Sequence, residues 1–197
     1  MKFFLNISAL SCRIIFLALI FLLGTSSVSS AGENIEVTVS GVKEELYDNV
    51  LARLTIFLQK DSERLRVNGV KLLHEQAESD IRSALAPFGF YNPVIKKSLE
   101  HVDDVWEASY IIEPGPPVLV QDVHVKLIGA GSKNVKLNTI VNLFPLKKGD
   151  ILNQDVYEKV KKKLVNTAFS EGFLKTAFVE RSLKIKREKN SASIHLV

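Results

Sequence analysis

Cysteine is all but missing from this chain. The single copy, Cys12, lies in an apolar N-terminal stretch, and removal of that stretch leaves nothing for a disulfide, a thiol nucleophile or a cysteine metal site. Catalytic signatures are missing as well. No Gly-x-Ser-x-Gly occurs, and serine, histidine and aspartate have no spacing that nominates a triad. His74, His101, His124 and His195 are dispersed, without a second ligand at His-x-x-x-His spacing, and read as surface or strand residues. The Gly129-Ala130-Gly131-Ser132-Lys133 run lacks both the Gly-Lys-Ser/Thr ending and the Gly-x-Gly-x-x-Gly spacing of phosphate loops, so it reads as a strand-to-helix turn. Asp103-Asp104 with Glu100 reads as a solvated hairpin turn better than as a cation site. Lys159, Lys161, Lys162 and Lys163 have no interleaved aromatics, which favours a solvated helix face over a nucleic-acid contact. Together these absences argue against an enzyme, a cofactor and a nucleic-acid partner.

Long apolar runs are also scarce. The longest, Ile14 to Leu23, follows Lys2 and Arg13 and precedes Gly24 and small polar residues. It falls short of the ~20 residues that span a bilayer. The layout is that of a secretory signal over residues 1–31, with Ser29-Ser30-Ala31 as cleavage site, rather than an uncleaved anchor. Cys12 precedes the apolar run instead of following it, which excludes a lipoprotein signal.

What remains is uneven in charge. Residues 32–116 carry 9 Lys/Arg and 15 Asp/Glu (9 − 15 = −6), while residues 117–197 carry 15 Lys/Arg and 7 Asp/Glu (15 − 7 = +8). Drift of two solvated surfaces explains such a split, and so do two halves facing different partners.

The chain also repeats itself. Ile81, Ala84, Leu85, Gly89, Phe90 and Val94-Ile95 recur 83 positions later as Leu164, Thr167, Ala168, Gly172, Phe173 and Ala177-Phe178. Each copy reads as an amphipathic helix stopped by a glycine, Gly89 or Gly172, and followed by an extended run. Before the first glycine, Ile35 to Val39 alternates as a strand, Glu44 opens a helix carrying Leu46, Val50, Leu54 and Phe57, and Asn68 is a cap for the next helix. After it come strands over Val94–His101 and Val105–Ile112. Pro114, Pro116 and Pro117 form a stiff connection. The order then recurs: a strand through Val123 and Val125, helices from Asn134 and after Asn153, and strands over Thr176–Lys186 and Ser191–Val197. The expected fold is α+β: two tandem β-α-α-β-β modules, residues 33–114 and 116–197, each a three-stranded sheet with two helices on one face.

These residues carry a resemblance. The cleavable signal, the paired modules, the run Pro114-Gly115-Pro116-Pro117-Val118 and the string Phe144-Pro145-Leu146-Lys147-Lys148-Gly149-Asp150-Ile151-Leu152 ahead of a helix and Gly172-Phe173 resemble the N-terminal periplasmic POTRA domain pair of the TamA/BamA outer-membrane assembly family. The resemblance covers residues 35–197. TamA-like proteins continue through a third POTRA domain into a β-barrel. This chain stops at Val197 without a succession of amphipathic ten-residue strands. A fragment, a truncated product and a free pair of modules all fit.

The resemblance implies export to the periplasm of a Gram-negative bacterium and association with its outer membrane. Its implied partners are the chain's own β-barrel, a TamB-like inner-membrane partner, and unfolded outer-membrane proteins or autotransporters. Alternatives are a two-partner-secretion transporter, or a small periplasmic enzyme or inhibitor. POTRA domains are held to receive extended chains on a sheet edge, usually that of their second strand. By position that edge is Val94, Ile95, Lys96, Lys97, Ser98 and Leu99 in the first module and Phe178, Val179, Glu180, Arg181, Ser182 and Leu183 in the second. Lys96, Lys97 and Arg181 equally suit an edge protected against aggregation.

Overall fold

The structure, a computed structural model, describes residues 32–197; the expected signal, residues 1–31, lies outside the described residues. Period-two alternation makes Asn34–Ser40 a strand, β1, with Ile35 turned into the core. Helix α1, Glu44–Arg53, places Glu44 and Glu45 in its first turn, where the helix dipole favours anions. The periodicity predicts one helix through Phe57, but the chain breaks at Leu54 (φ −73°, ψ 99°) and resumes as the single turn α2, Thr55–Leu58. The break is stabilised from a distance. Leu54 is fully buried, and the Asp80 carboxylate accepts the Thr55 N–H at 2.9 Å, a cap lent by the next helix.

That helix, α3, spans Val67–Leu85 and buries Val70, Leu73, Ala77, Ile81, Ala84 and Leu85 along one stripe. Asn68 is not its cap. Arg66 holds that position without a side-chain cap bond, and Asn68 lies within the first turn. A 3₁₀ turn, Ala86–Phe88, prolongs α3 to Gly89, whose φ of +87° lets the Phe90 N–H return to the Leu85 carbonyl at 3.3 Å.

Strands β2, Val94–Val102, and β3, Val105–Glu113, form a hairpin. Asp103 (φ 47°) and Asp104 (φ 63°) make its two-residue left-handed turn, which matches the twist of the strands. The sheet order is β1-β3-β2, with β1 parallel and β2 antiparallel to β3. Trp106, Ala108, Tyr110 and Ile112 of β3 face the helices and are buried.

The second half repeats the plan with β4 (Leu119–Val125), α4 (Val135–Asn142), α5 (Gln154–Ser170), β5 (Arg181–Lys186) and β6 (Ser191–Leu196), in sheet order β4-β6-β5. Asn134 and Asn153 cap α4 and α5 through their side-chain oxygens. The architecture is thus α+β, two three-stranded sheets each with its helices. Among the described residues no helix is long and apolar enough to cross a membrane.

One strand departs from expectation. It reads from Thr176, yet β5 begins only at Arg181, so the correspondence of Ala177-Phe178 with Val94-Ile95 fails. Phe178 instead packs between two apolar clusters of the second half. Glu180 and Val197 exchange backbone bonds (3.3 and 2.9 Å) as the next pair beyond Arg181 and Leu196, while the Val179 N–H also turns to the Val197 carbonyl at 2.7 Å and ends the ladder there.

The string Phe144 to Leu152 also has a definite job. Gly149 donates to the Val120 carbonyl at 2.8 Å, Val120 to Asp150 at 2.9 Å and Leu152 to Val118 at 2.9 Å. The string therefore runs along the start of β4 and satisfies backbone groups on its outer edge.

The two sheets meet through the segment after α3. Val118 donates its N–H to the Gly89 carbonyl at 2.8 Å, Gln154 bonds the Tyr91 hydroxyl, and Asn92 donates to the Arg187 carbonyl at 3.3 Å. The Arg187 guanidinium lies 5.4 Å from the Tyr91 ring centre. Residues 32–197 form one compact unit as a result.

Candidate polypeptide-binding edges

A strand can accept a partner only where its backbone groups are free, so the register of β2 decides what it offers. Val102 faces Val105 across the two-residue turn, and Val94 faces Glu113 at the far end. The pair that closes such a turn exchanges both hydrogen bonds, and bonded and non-bonded pairs then alternate along the ladder. Lys96, Ser98 and Glu100 accordingly spend their N–H and C=O groups on β3. Those of Ile95, Lys97, Leu99 and His101 point away from the sheet. β2 pairs with β3 alone, and with nine residues it is longer than the other outer strands, β1 and β4 with seven each and β5 with six.

The side chains of that edge are divided. Ile95 and Leu99 pack against the first core. Lys97 stands between them on the same face, and its ammonium reaches the Glu75 carboxylate at 2.8 Å and the His74 carbonyl at 3.5 Å. That contact holds the Glu75 carboxyl below the usual carboxylate range. A charge turned inward on an edge strand resists unselective pairing. On the opposite face Lys96 pairs with Glu113 at 3.4 Å, beside the exposed Ser98 and Val94.

The second module offers less. Of the six residues read as its edge, Arg181, Ser182 and Leu183 lie in β5, whereas Phe178, Val179 and Glu180 precede it. Leu183 packs on the second core, and the Ser182 hydroxyl is buried without a partner. Gly172, like Gly89, has φ +87°, and Phe173 returns its N–H to the Ala168 carbonyl at 2.9 Å.

One histidine departs from the sequence reading. His74 is buried, with Nδ1 3.0 Å from the Tyr110 hydroxyl. Burial, followed by the charge of Lys97, pushes the His74 imidazole below its ordinary value, and burial pushes the Tyr110 phenol up. The signal was present in the spacing, since Val70, His74, Ala77 and Ile81 share one helical stripe. His195 is a strand residue of β6, as read, and links β4 to the segment before β5: Nε2 is 2.9 Å from Asp122 and Nδ1 is 3.2 Å from Glu180. Lys161, read as part of a solvated face, lies with its ammonium 4.6 Å from the Tyr157 ring centre. Among the described residues no group of three or more His, Cys, Asp or Glu is placed to hold a metal.

Comparison with known proteins adds a family to this geometry. Residues 36–114 match the model of POTRA domain TamA domain 1. Residues 120–197 match the POTRA model described as surface antigen variable number repeat. Solved structures with similarity include BamA from Haemophilus ducreyi lacking POTRA domains 1-3 (15% identity, 84% of this chain, 28% of that one, TM-score 0.39). POTRA1-3 of the periplasmic domain of Omp85 from Anabaena is similar at 17% identity, over 84% of this chain and 60% of that one, with TM-score 0.39. CdiB from Escherichia coli is similar at 14% identity, over 88% of this chain and 28% of that one, with TM-score 0.32. The chain spans less than two thirds of the length of these three structures. Two successive POTRA matches on two sheets of one plan define a tandem POTRA protein. Residues 36–114 and 120–197 are a TamA/BamA-like POTRA pair.

Proposed function

We propose that the chain is the periplasmic, non-catalytic region of a TamA-like outer-membrane assembly subunit, and that it binds extended polypeptides on the free edge of β2. The observation that carries this reading is the outward row of backbone groups at Ile95, Lys97, Leu99 and His101, an arrangement that an incoming strand extends by main-chain hydrogen bonds. The match of residues 36–114 to a TamA domain supports TamA over a two-partner-secretion transporter. The clients are unfolded outer-membrane proteins or autotransporters, and the partners are the protein's own β-barrel and a TamB-like inner-membrane protein. Residues 1–31 direct export, and residues 33–114 and 116–197 are the two folding modules. The basic second module adds a salt-dependent attraction to acidic segments.

The test is photo-crosslinking from single positions. Probes at Ser98 and His101 of β2 are compared with probes at Thr38 of β1 and Ser182 of β5. Polypeptide adducts concentrated at Ser98 and His101 support the reading. Adducts at Thr38 or Ser182 alone contradict the assignment to β2, and a complete lack of adducts contradicts polypeptide binding.

A further inference from the structure

A strand edge with a repeating backbone accepts a partner in several registers, and the side chains beside it decide which register and which partner. On the face of the first sheet turned away from the helices, the pairing sets Glu36 of β1 opposite Glu107 of β3, and Glu107 opposite Glu100 of β2. All three are exposed, and none has an ion-pair or side-chain hydrogen-bond partner among the described residues. Like charges directly opposite one another destabilise a sheet. The neighbouring rows on that face carry no such conflict. Thr38, Ser109 and Ser98 are neutral, and in the row of Ser40 and Ile111 the Lys96 ammonium has Glu113 at 3.4 Å.

The row of glutamates ends at the free edge. Glu100 lies between Leu99 and His101, whose backbone groups point away from the sheet. A strand added there in antiparallel pairing forms its bonded pairs with Leu99 and His101 and meets Glu100 in a non-bonded pair. The two side chains then stand on the same face with Cβ atoms about 4.5–5.5 Å apart. On the other face Ile95 and Leu99, which pack on the first core, offer apolar contact, and Lys97 between them is already matched by Glu75 at 2.8 Å. Of the carboxylate and ammonium groups of β2, Glu100 alone has no partner among the described residues.

We infer that Glu100 selects the client: the strand added to β2 carries a lysine or arginine on its outward face, opposite Glu100, and apolar residues on its inward face, beside Ile95 and Leu99. The inference rests on capture of an extended chain by β2 and names what that chain must carry. Two observations favour a cation over a neutral residue. Behind Glu100, Glu107 and Glu36 add charge of the same sign. The half of the chain that holds this edge, residues 32–116, has 15 Asp/Glu against 9 Lys/Arg. An ammonium or guanidinium beside Glu100 relieves the row, whereas a carboxylate extends it to a fourth like charge.

The full chain is titrated into three fluorescently labelled peptides of alternating valine and threonine that differ in one central residue of the threonine face: Lys, Gln or Glu. By fluorescence anisotropy the lysine peptide should bind roughly tenfold more tightly than the glutamate peptide, with the glutamine peptide between them. Glu100→Lys should reverse that order. Glu100→Gln should bring the three affinities together, and it gives the same test should Glu100→Lys fail to fold. Equal affinities of the three peptides, all lost in Lys97→Pro, overturn selection by Glu100 and leave capture by β2 standing. A lysine preference that persists unchanged in Glu100→Gln overturns the inference in the same way. Binding that survives Lys97→Pro, or a lack of binding by all three peptides, overturns capture by β2 and the inference with it.

Discussion

Val118 donates its backbone N–H to the carbonyl of Gly89 at 2.8 Å, and this bond couples the end of the first helical layer to the start of the second sheet. Gly89 therefore has two duties: it holds φ +87° and it admits the Leu152 backbone at close range. Gly172 has the first duty alone. A Cβ is strained in that conformation by about 1 kcal/mol, and a clash with backbone cannot be relieved by turning a side chain.

Replacing Gly172 with Ala should thus cost about 1 kcal/mol, and replacing Gly89 should cost distinctly more, about 2 kcal/mol or beyond. Urea unfolding of the two variants measures the difference. Equal losses would mean that the Gly89 contact contributes nothing to stability.

The first core draws on its own module alone, from Ile35 to Ile112, whereas the second includes Tyr91 at its margin. Residues 33–114 should accordingly fold alone with a cooperative melt. Residues 116–197, deprived of Tyr91 and of the Gly89 carbonyl, should melt below the second module of the intact chain. Calorimetry of both halves tests this, and an unfolded first half beside a fully stable second half would reverse the argument.

Much of this architecture is legible in the residues because the signals are local. Asn134 and Asn153 announce their helices, and the alternation of Trp106, Ala108, Tyr110 and Ile112 announces a half-buried strand. Three things escape. The start of α3 lacks a side-chain cap, so Asn68 is a decoy. The apolar run Ala177-Phe178 resembles a strand, yet its aromatic fills space between two clusters and its neighbours bond the Val197 carbonyl. The joint of Gly89, Val118 and Leu152 is made of backbone groups far apart in the chain, which no spacing rule registers. At the candidate edge, residue types place β2, but only the turn at Asp103 and Asp104 fixes which backbone groups point outward.

His74 gives the protein a pH dependence of known sign. Its folded-state pKa is below the unfolded value of about 6.5, so the unfolded chain takes up the proton first. Its contribution is complete above the unfolded value and is lost as pH falls through it towards the folded one. The melting temperature should drop between pH 7.5 and pH 5, and His74→Gln should shrink that drop. An unchanged drop in His74→Gln would assign the dependence to other groups.

Capture of a strand by β2 rests on main-chain bonds, so the decisive comparison is Lys97→Pro against Lys97→Ala. Both variants lose the contact with Glu75. Only proline removes the outward N–H and crowds the approach, while the bonds to β3 are spared because the Lys97 N–H points away from it. Client affinity is measured for both variants, with folding verified by circular dichroism. A tenfold or greater weakening by proline beyond that by alanine, about 1.4 kcal/mol, is the predicted result. Equal affinities of the two folded variants would contradict strand addition at β2 and transfer recognition to side-chain patches.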